Sequence, residues 1–228
     1  MELTYLLVRS KKRKKTISLQ VRTDGTILVS APYRTPVGEI DKFLNQKKRW
    51  LNRIIEERET RLKDIKPKEY LTGELFLYLG IQYTLRIADE MGESGSLTFS
   101  EGQFVLSVNK VHQGRELFIE WYKKRSREYI EESVKRYSQA LRLNPGGIRI
   151  SNALCRWGSC SSDNNLSFSW RLIMAPCPVI DYVVVHELAH MREKNHSMRF
   201  WGLVAKTIPD YNKQRLWLKE NGYLLTAL

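Results

Sequence analysis

Asp181-Tyr182-Val183-Val184-Val185-His186-Glu187-Leu188-Ala189-His190-Met191-Arg192-Glu193-Lys194-Asn195-His196 decides how this chain is read. Three of its four histidines fall in the last eleven of these residues. On a helix, positions four apart differ by about 40° around the axis, so His186 and His190 share one face, one turn apart. Two imidazoles so placed reach one metal ion, at about 2.0–2.1 Å each for zinc. Glu187, one step round, stands beside a water at that metal instead of binding it, which is why H-E-x-x-H serves hydrolysis. The apolar approach through Val183, Val184 and Val185 marks the segment as a buried helix.

A hydrolytic zinc site takes three protein ligands and leaves one position open. His196 is the candidate third ligand. The helix is expected to fray by Lys194-Asn195, and asparagine tolerates the left-handed backbone that reverses a chain. The alternative is a pair of helix histidines capped by hydrogen bonds, with His196 on the surface. The spacing from His190 to His196 equals that of the metzincin signature H-E-x-x-H-x-x-G-x-x-H. Glu193 stands in place of its glycine, and no Met-turn is evident downstream.

Outward from this segment, alternation places strands at Leu3–Val8, Thr16–Val21 and Thr26–Ser30, with Asp24-Gly25 as a turn. Thr35-Pro36 suits a helix N-cap followed by proline at the first helical position. That helix should run to about Arg61, with Ile40, Phe43, Leu44, Trp50, Leu51, Ile54 and Ile55 on one face. Residues 62–73 make the one plausible linker. Strands follow at 74–79, 82–88, 96–100 and 103–108, then a long helix at 115–141 stopped by Asn144-Pro145-Gly146-Gly147. Strands at 148–152 and 165–174 precede the histidine helix, and a last helical region spans 198–221 with a break near Pro209. The organisation expected is one domain, 1–228, with a basic hairpin and helix subregion (1–68), a β-rich subregion (69–110) and a catalytic core (111–228).

Among 228 residues, Lys and Arg outnumber Asp and Glu by 38 to 25, and residues 1–68 alone carry 18 bases against 8 acids. The excess peaks in Lys11, Lys12, Arg13, Lys14 and Lys15. Such a run contacts nucleic-acid phosphates or another acidic partner, or it is a solvated hairpin loop or sheet edge guarded by lysines. It has no aromatic interleaving. No apolar run approaches the roughly 18–20 residues of a membrane helix. No apolar stretch at the N-terminus reads as a secretory signal. Cys155, Cys160 and Cys177 are too few for a disulfide scaffold, so reduced thiols and a cytoplasmic location are expected. A second metal site on Cys155 and Cys160 lacks ligands, and partly buried thiols are the simpler reading. Trp157, Trp170 and Trp201 read as core in preference to cleft lining, Asp181 as a helix cap or a ligand-orienting residue, and Arg156 as an oxyanion donor or a structural ion-pair residue.

Arg156-Trp157-Gly158-Ser159-Cys160-Ser161-Ser162, Trp170-Arg171-Leu172, the segment from Asp181 to His190, Asn195-His196-Ser197 and Phe200-Trp201 together resemble the YgjP-like metallopeptidase family. The basic N-terminus, Ala31-Pro32 and the helix with Trp50 extend the likeness over nearly the whole chain. That family is similar to SprT-like and other zincin proteases. The resemblance implies an α+β fold with a zincin-like core of active-site helix, backing helix and small antiparallel sheet, preceded by a β-rich region with one helix. It implies one Zn2+ per chain on His186, His190 and His196, with Glu187 as catalytic acid and base. Nickel, cobalt or copper could take the same ligands in a purified sample. It further implies that residues 165–173 form the cleft-edge strand that pairs with an extended substrate. The function expected is a zinc metallopeptidase acting on peptide or protein. The alternatives are a nucleic-acid-associated protein with a metal site, a protease recruited to nucleic-acid-bound substrates, and hydrolysis of a non-peptide amide.

Overall fold

The computed structural model describes residues 4–21, 26–63, 67–89, 96–154, 156–226 and 228. The chain divides into two compact units, Met1–Lys66 and Pro67–Leu228. In the first, β1 (Leu6–Ser10), β2 (Ser18–Val21) and β3 (Ile27–Pro32) precede α1 (Val37–Lys63). Strand β3 is central, parallel to β1 and antiparallel to β2. Its alternate residues Ile27, Val29 and Ala31 are buried with Ile40, Leu44 and Leu51 of α1, which recur on one helical face.

Local differences from the sequence reading have physical causes. Leu6, Leu7 and Val8 are all exposed, so β1 lacks the alternation that would have located it, and it runs two residues beyond Val8. The Pro36 carbonyl accepts from the Ile40 amide at 3.4 Å, so Pro36, not Thr35, opens the helix. Strands β1 and β2 flank β3 on opposite sides. Lys11–Lys15 therefore crosses from one edge of the sheet to the other and closes no hairpin. The Asp24-Gly25 turn lies outside the described residues.

In the second unit, β4 (Leu75–Tyr78), β5 (Ile81–Ala88), β6 (Leu97–Ser100) and β7 (Gln103–Ser107) form a sheet of order β4-β5-β7-β6. Helix α2 (Gly114–Leu141) lays Phe118, Tyr122, Ile130 and Val134 into the core at helical spacing. Its end comes at Arg142, in the left-handed conformation (φ 52°), two residues before Asn144. Then come β8 (Ile148–Ser151), β9 (Gly158–Cys160), β10 (Leu166–Ser169), α3 (Cys177–Ala189), α4 (Met198–Thr207) and α5 (Tyr211–Asn221). The architecture is mixed α+β, with α2 backing the histidine helix α3 beside a three-stranded sheet.

That sheet is mixed, not antiparallel. Strand β10 is central, antiparallel to β9 but parallel to β8, because the excursion after β8 places β9 on the far edge. The strand expected over 165–174 stops at Ser169, and Trp170–Met174 coils into a tight 3-10 turn. All five turn residues are buried, so the alternation of Leu166, Phe168, Trp170 and Leu172 does not continue as a strand. Trp170 stacks on Tyr122 (5.9 Å, 15°), its Nε1 donates to Asn152 Oδ1 at 3.0 Å, and the Tyr122 hydroxyl donates to the Leu77 carbonyl at 2.7 Å.

Two contacts place α3. Gly80, at φ +81°, donates its amide to the Met174 carbonyl, and a Cβ there would lie 2.7 Å from Pro176 Cγ. Gly80→Ala is expected to cost about 1–3 kcal/mol in chemical denaturation, from left-handed strain and a clash at the helix entry. Asp181 lies within α3, not at its cap. Its carboxylate accepts from Ser133 (2.7 Å), Tyr137 (3.1 Å) and Tyr129 (3.5 Å) and pairs with Arg136 (3.4 Å), all on α2. Asp181→Ala is expected to lower stability by roughly 2–4 kcal/mol, because it strands donors at a half-buried interface. Asp181→Asn should recover part of that.

Candidate metal centre

Helix α3 is buried nearly all round, and its last turn carries His186 and Glu187. It ends at Ala189 with His190 as C-cap, earlier than the fraying expected at Lys194-Asn195. Amides of Met191, Arg192 and Glu193 fold back onto the carbonyls of Leu188 and Ala189. The Arg192 guanidinium donates to the Leu141 carbonyl at 2.6 Å, tying this turn to the end of α2. The chain then reverses into α4, whose N-cap Ser197 accepts from the Phe200 amide. His196, just before that cap, is thereby returned to the face of α3.

The three rings meet. Their centroids are 4.8–5.0 Å apart, and one ring nitrogen from each lies within 4.8 Å of the other two. His196 Nε2 faces His186 Nε2 at 3.0 Å. The His190 Nδ1 lies 3.1 Å from the Glu193 carbonyl, which only accepts, so Nδ1 carries the proton and Nε2 is left with its lone pair. Burial, aided by the charges of His190, His196 and Arg215, holds His186 down to about 3, so that ring is neutral. Its Nδ1 is buried without a hydrogen-bond partner among the described residues, while its Nε2 faces His196. Burial likewise pushes His190 down. Three converging ring nitrogens offer a transition-metal cation its ligands, and an all-nitrogen set suits zinc. The residues fit the group.

The walls are aromatic. Phe200 packs against all three histidine rings at 4.6–4.9 Å, and Trp201 stacks on His196 (5.6 Å, 26°). Trp201 therefore borders the site, whereas Trp170 is core, as read from the sequence. Beyond its part in the family resemblance, Phe200 carries no site signal in the sequence, since an aromatic at helical spacing looks like any core residue.

Glu187 is 5% exposed. Burial pushes its carboxyl up to about 7, against the opposing charge of Arg156. Room for that carboxylate comes from Gly158 on β9, where a Cβ would lie 2.6 Å from both Cγ and Oε1 of Glu187. No periodic signal in a three-residue strand marks that glycine in the sequence. Cys160 lies close enough for Glu187 to raise its thiol, although burial is the larger cause. Cys155 lies outside the described residues, and Cys160 and Cys177 are free thiols.

Strand β10 is central, so residues 165–173 do not form the edge strand expected of them; among the described strands β9 is an edge of this sheet. The Ser169 amide bonds to the Trp157 carbonyl and the Ser161 amide to the Asn165 carbonyl. Alternation of an antiparallel ladder then turns the backbone N–H and C=O of Gly158 and Cys160 to the open side. Lys11, Lys12, Arg13, Lys14 and Lys15 belong to the first compact unit, and the three histidines to the second.

The sequence pattern of the YgjP-like metallopeptidase domain matches residues 15–221. The chain belongs to the YgjP-like metallopeptidase family. This family member is also similar to UTP pyrophosphatase of Escherichia coli (strain K12), 42% identical over 50 residues. That match spans 20% of this chain and 30% of the length of the relative. Among solved structures, it is similar to the metallopeptidase zymogens abylysin of Pyrococcus abyssi (TM-score 0.37, 21% identity) and jannalysin of Methanocaldococcus jannaschii (TM-score 0.37, 19%). Each likeness covers 40% of this YgjP-like chain, and 93% and 94% of the two zymogens. No described helix is long and apolar enough to cross a membrane.

Proposed function

We propose that this protein is a zinc-dependent peptidase in which His186, His190 and His196 hold the metal and Glu187 is general base and general acid. The observation that carries this reading is the convergence of three imidazoles beside one buried carboxylate. A divalent cation held by these rings supplies Lewis acidity toward the peptide carbonyl and toward water. Glu187 takes the proton from the attacking water and returns it to the leaving amine, work for which a carboxyl near neutrality is suited. Arg156 keeps a positive charge close to Glu187 and so favours its ionised, proton-accepting form. Phe200 and Trp201 exclude water from one side of the rings. An extended peptide adds to the open edge of β9 through Gly158 and Cys160. The test is hydrolysis of a quenched peptide mixture, abolished by a chelator and restored by zinc. Activity that survives complete metal removal would refute the proposal.

The short likeness to a protein named UTP pyrophosphatase favours a second substrate for the same centre, a phosphoanhydride. Release of pyrophosphate from UTP by the zinc-loaded chain measures it directly.

For the N-terminal unit, nucleic acid is the partner we favour. Pairing of β1 with β3 sets Ser10 beside Pro32, so Tyr33 arrives next to the basic run. Lys11 Nζ sits 5.6 Å over the exposed Tyr33 ring, and Lys11, Arg13, Lys14 and Arg34 line a recess of about 460 Å³ there. Cations around an exposed aromatic suit a single strand, with phosphates on the former and a base stacked on the latter. Binding of a labelled oligothymidylate should weaken with salt. A combined Lys11→Ala and Lys14→Ala variant should flatten the log–log slope by about 0.7 per phosphate contact removed. Tyr33→Ala should lose about 1–3 kcal/mol of affinity at unchanged slope.

A further inference from the structure

Beside the histidine centre, the β8-β10-β9 sheet carries a cleft of about 510 Å³ that no step above uses. Strand register explains its chemistry. Arg149 on β8 pairs with Ser167 on β10, and Ser167 pairs with Ser159 on β9, so these three residues form one row across one face. Ile148, Leu166 and Cys160 of the alternate register also border the cleft, while Phe168 and Gly158 do not, and Gly158 lies against Glu187. Asn165 and Ser161 also border the cleft, with their side-chain oxygens engaged: Asn165 Oδ1 accepts from the Gly147 amide, and Ser161 Oγ accepts from the Asn165 amide. Arg156 lines the cleft and also lies within electrostatic reach of Glu187. The cleft is therefore continuous with the catalytic edge. Among the described residues no acidic residue lines it, and neither Arg149 nor Arg156 forms an ion pair.

We propose that this cleft is a subsite for a carboxylate of the substrate peptide, held by Arg149 and Arg156 with the Ser159 and Ser167 hydroxyls between them. The proposal rests on the peptidase reading and names the substrate class for it: peptides with an acidic group close to the bond that is cut. Alternation gives the position. A substrate strand added to β9 directs successive side chains to opposite faces. The residue opposite Ser159 shares the face of Ser159 and points into the cleft, while its neighbours share the face of Gly158 and Glu187. Guanidinium forks match a carboxylate through two parallel N–H···O bonds, a geometry that a neutral amide cannot replace. The same oxygens could belong to an Asp or Glu side chain or to the C-terminus of a peptide. An arrangement that favoured the second source would make the enzyme trim chain ends.

The test measures binding without bond cleavage, on the full zinc-loaded chain, by amide chemical shifts. N-acetyl-glutamic acid amide presents the side-chain carboxylate, N-acetyl-alanine the main-chain one, and N-acetyl-glutamine amide is the uncharged control. We expect saturable shifts at Ser159, Ser167 and Arg149 with one or both carboxylates, at least ten-fold tighter than with the control. That preference should vanish in Arg149→Gln and in Arg156→Gln, and whichever carboxylate binds identifies the source. Equal binding of the control, shifts indifferent to both substitutions, or binding of inorganic phosphate alone would overturn the proposal. Because no hydrolysis is read, overturning it leaves the peptidase reading standing. Shifts as expected in a chain that cuts no peptide would count against the peptidase reading alone.

Discussion

Glu187→Gln is expected to retain about one equivalent of zinc per chain while hydrolysing peptides roughly 10²–10⁴-fold more slowly, the usual contribution of a positioned general base. Glutamine keeps the shape of the side chain in the slot opposite Gly158, so the fold has no reason to change. It removes only the oxygen that accepts a proton. His190→Ala is the counterpart. It deletes the ring whose tautomer is fixed by the Glu193 carbonyl, and with it one of three converging nitrogens. Zinc content should fall well below one equivalent, because two imidazoles do not make a tight site. Elemental mass spectrometry on wild type and both variants measures the first quantity, and peptide turnover the second. Full zinc in His190→Ala would remove that residue from the ligand set. Undiminished turnover in Glu187→Gln would remove the base.

Gly158→Ala is expected to be nearly as damaging, although it touches no ligand. The added methyl would sit 2.6 Å from Cγ and Oε1 of Glu187. The strand cannot retreat cheaply, since Gly158 pairs with Phe168, which is fully buried. The carboxylate must move instead, and a displacement of about 1 Å in a catalytic group costs on the order of 10²-fold in rate. Stability should fall by only about 1–3 kcal/mol, as for other overpacked positions. Zinc content should be unchanged. The signature is thus a kcat loss with metal intact. Full activity in Gly158→Ala would mean that Glu187 works from a position β9 does not set.

Legibility followed from how far each feature depends on distant chain. The pairing of His186 with His190 and the exclusion of Glu187 from their face need only the helix repeat, so the motif was readable at once. His196 was readable as a candidate but not its route: the helix stops at Ala189, and Arg192 pins the reversal to the end of α2. Asp181 looked like a cap because acids favour helix starts. Its partners, Ser133, Tyr129, Tyr137 and Arg136, lie more than forty residues upstream. The strand expected through Trp170 and Leu172 failed because alternation of large apolar residues is shared by strands and by tight turns buried on all sides. The basic run showed no aromatic neighbour along the chain, and Tyr33 reaches it through strand pairing alone.

The brevity of β9 has a consequence for life in a crowded solution. Its outer side is an unpaired sheet edge, and such an edge accepts any extended chain, including the edge of a second copy. Three residues offer outward amides and carbonyls at only Gly158 and Cys160, too few to zip two molecules together. Arg156 at one end and Lys194, whose ammonium reaches the Ser161 carbonyl at 3.5 Å, at the other would set like charges against each other in a symmetric pair. Lengthening this strand to grip peptides more firmly would therefore make the protein prone to aggregate, and its short reach is what lets an open edge persist.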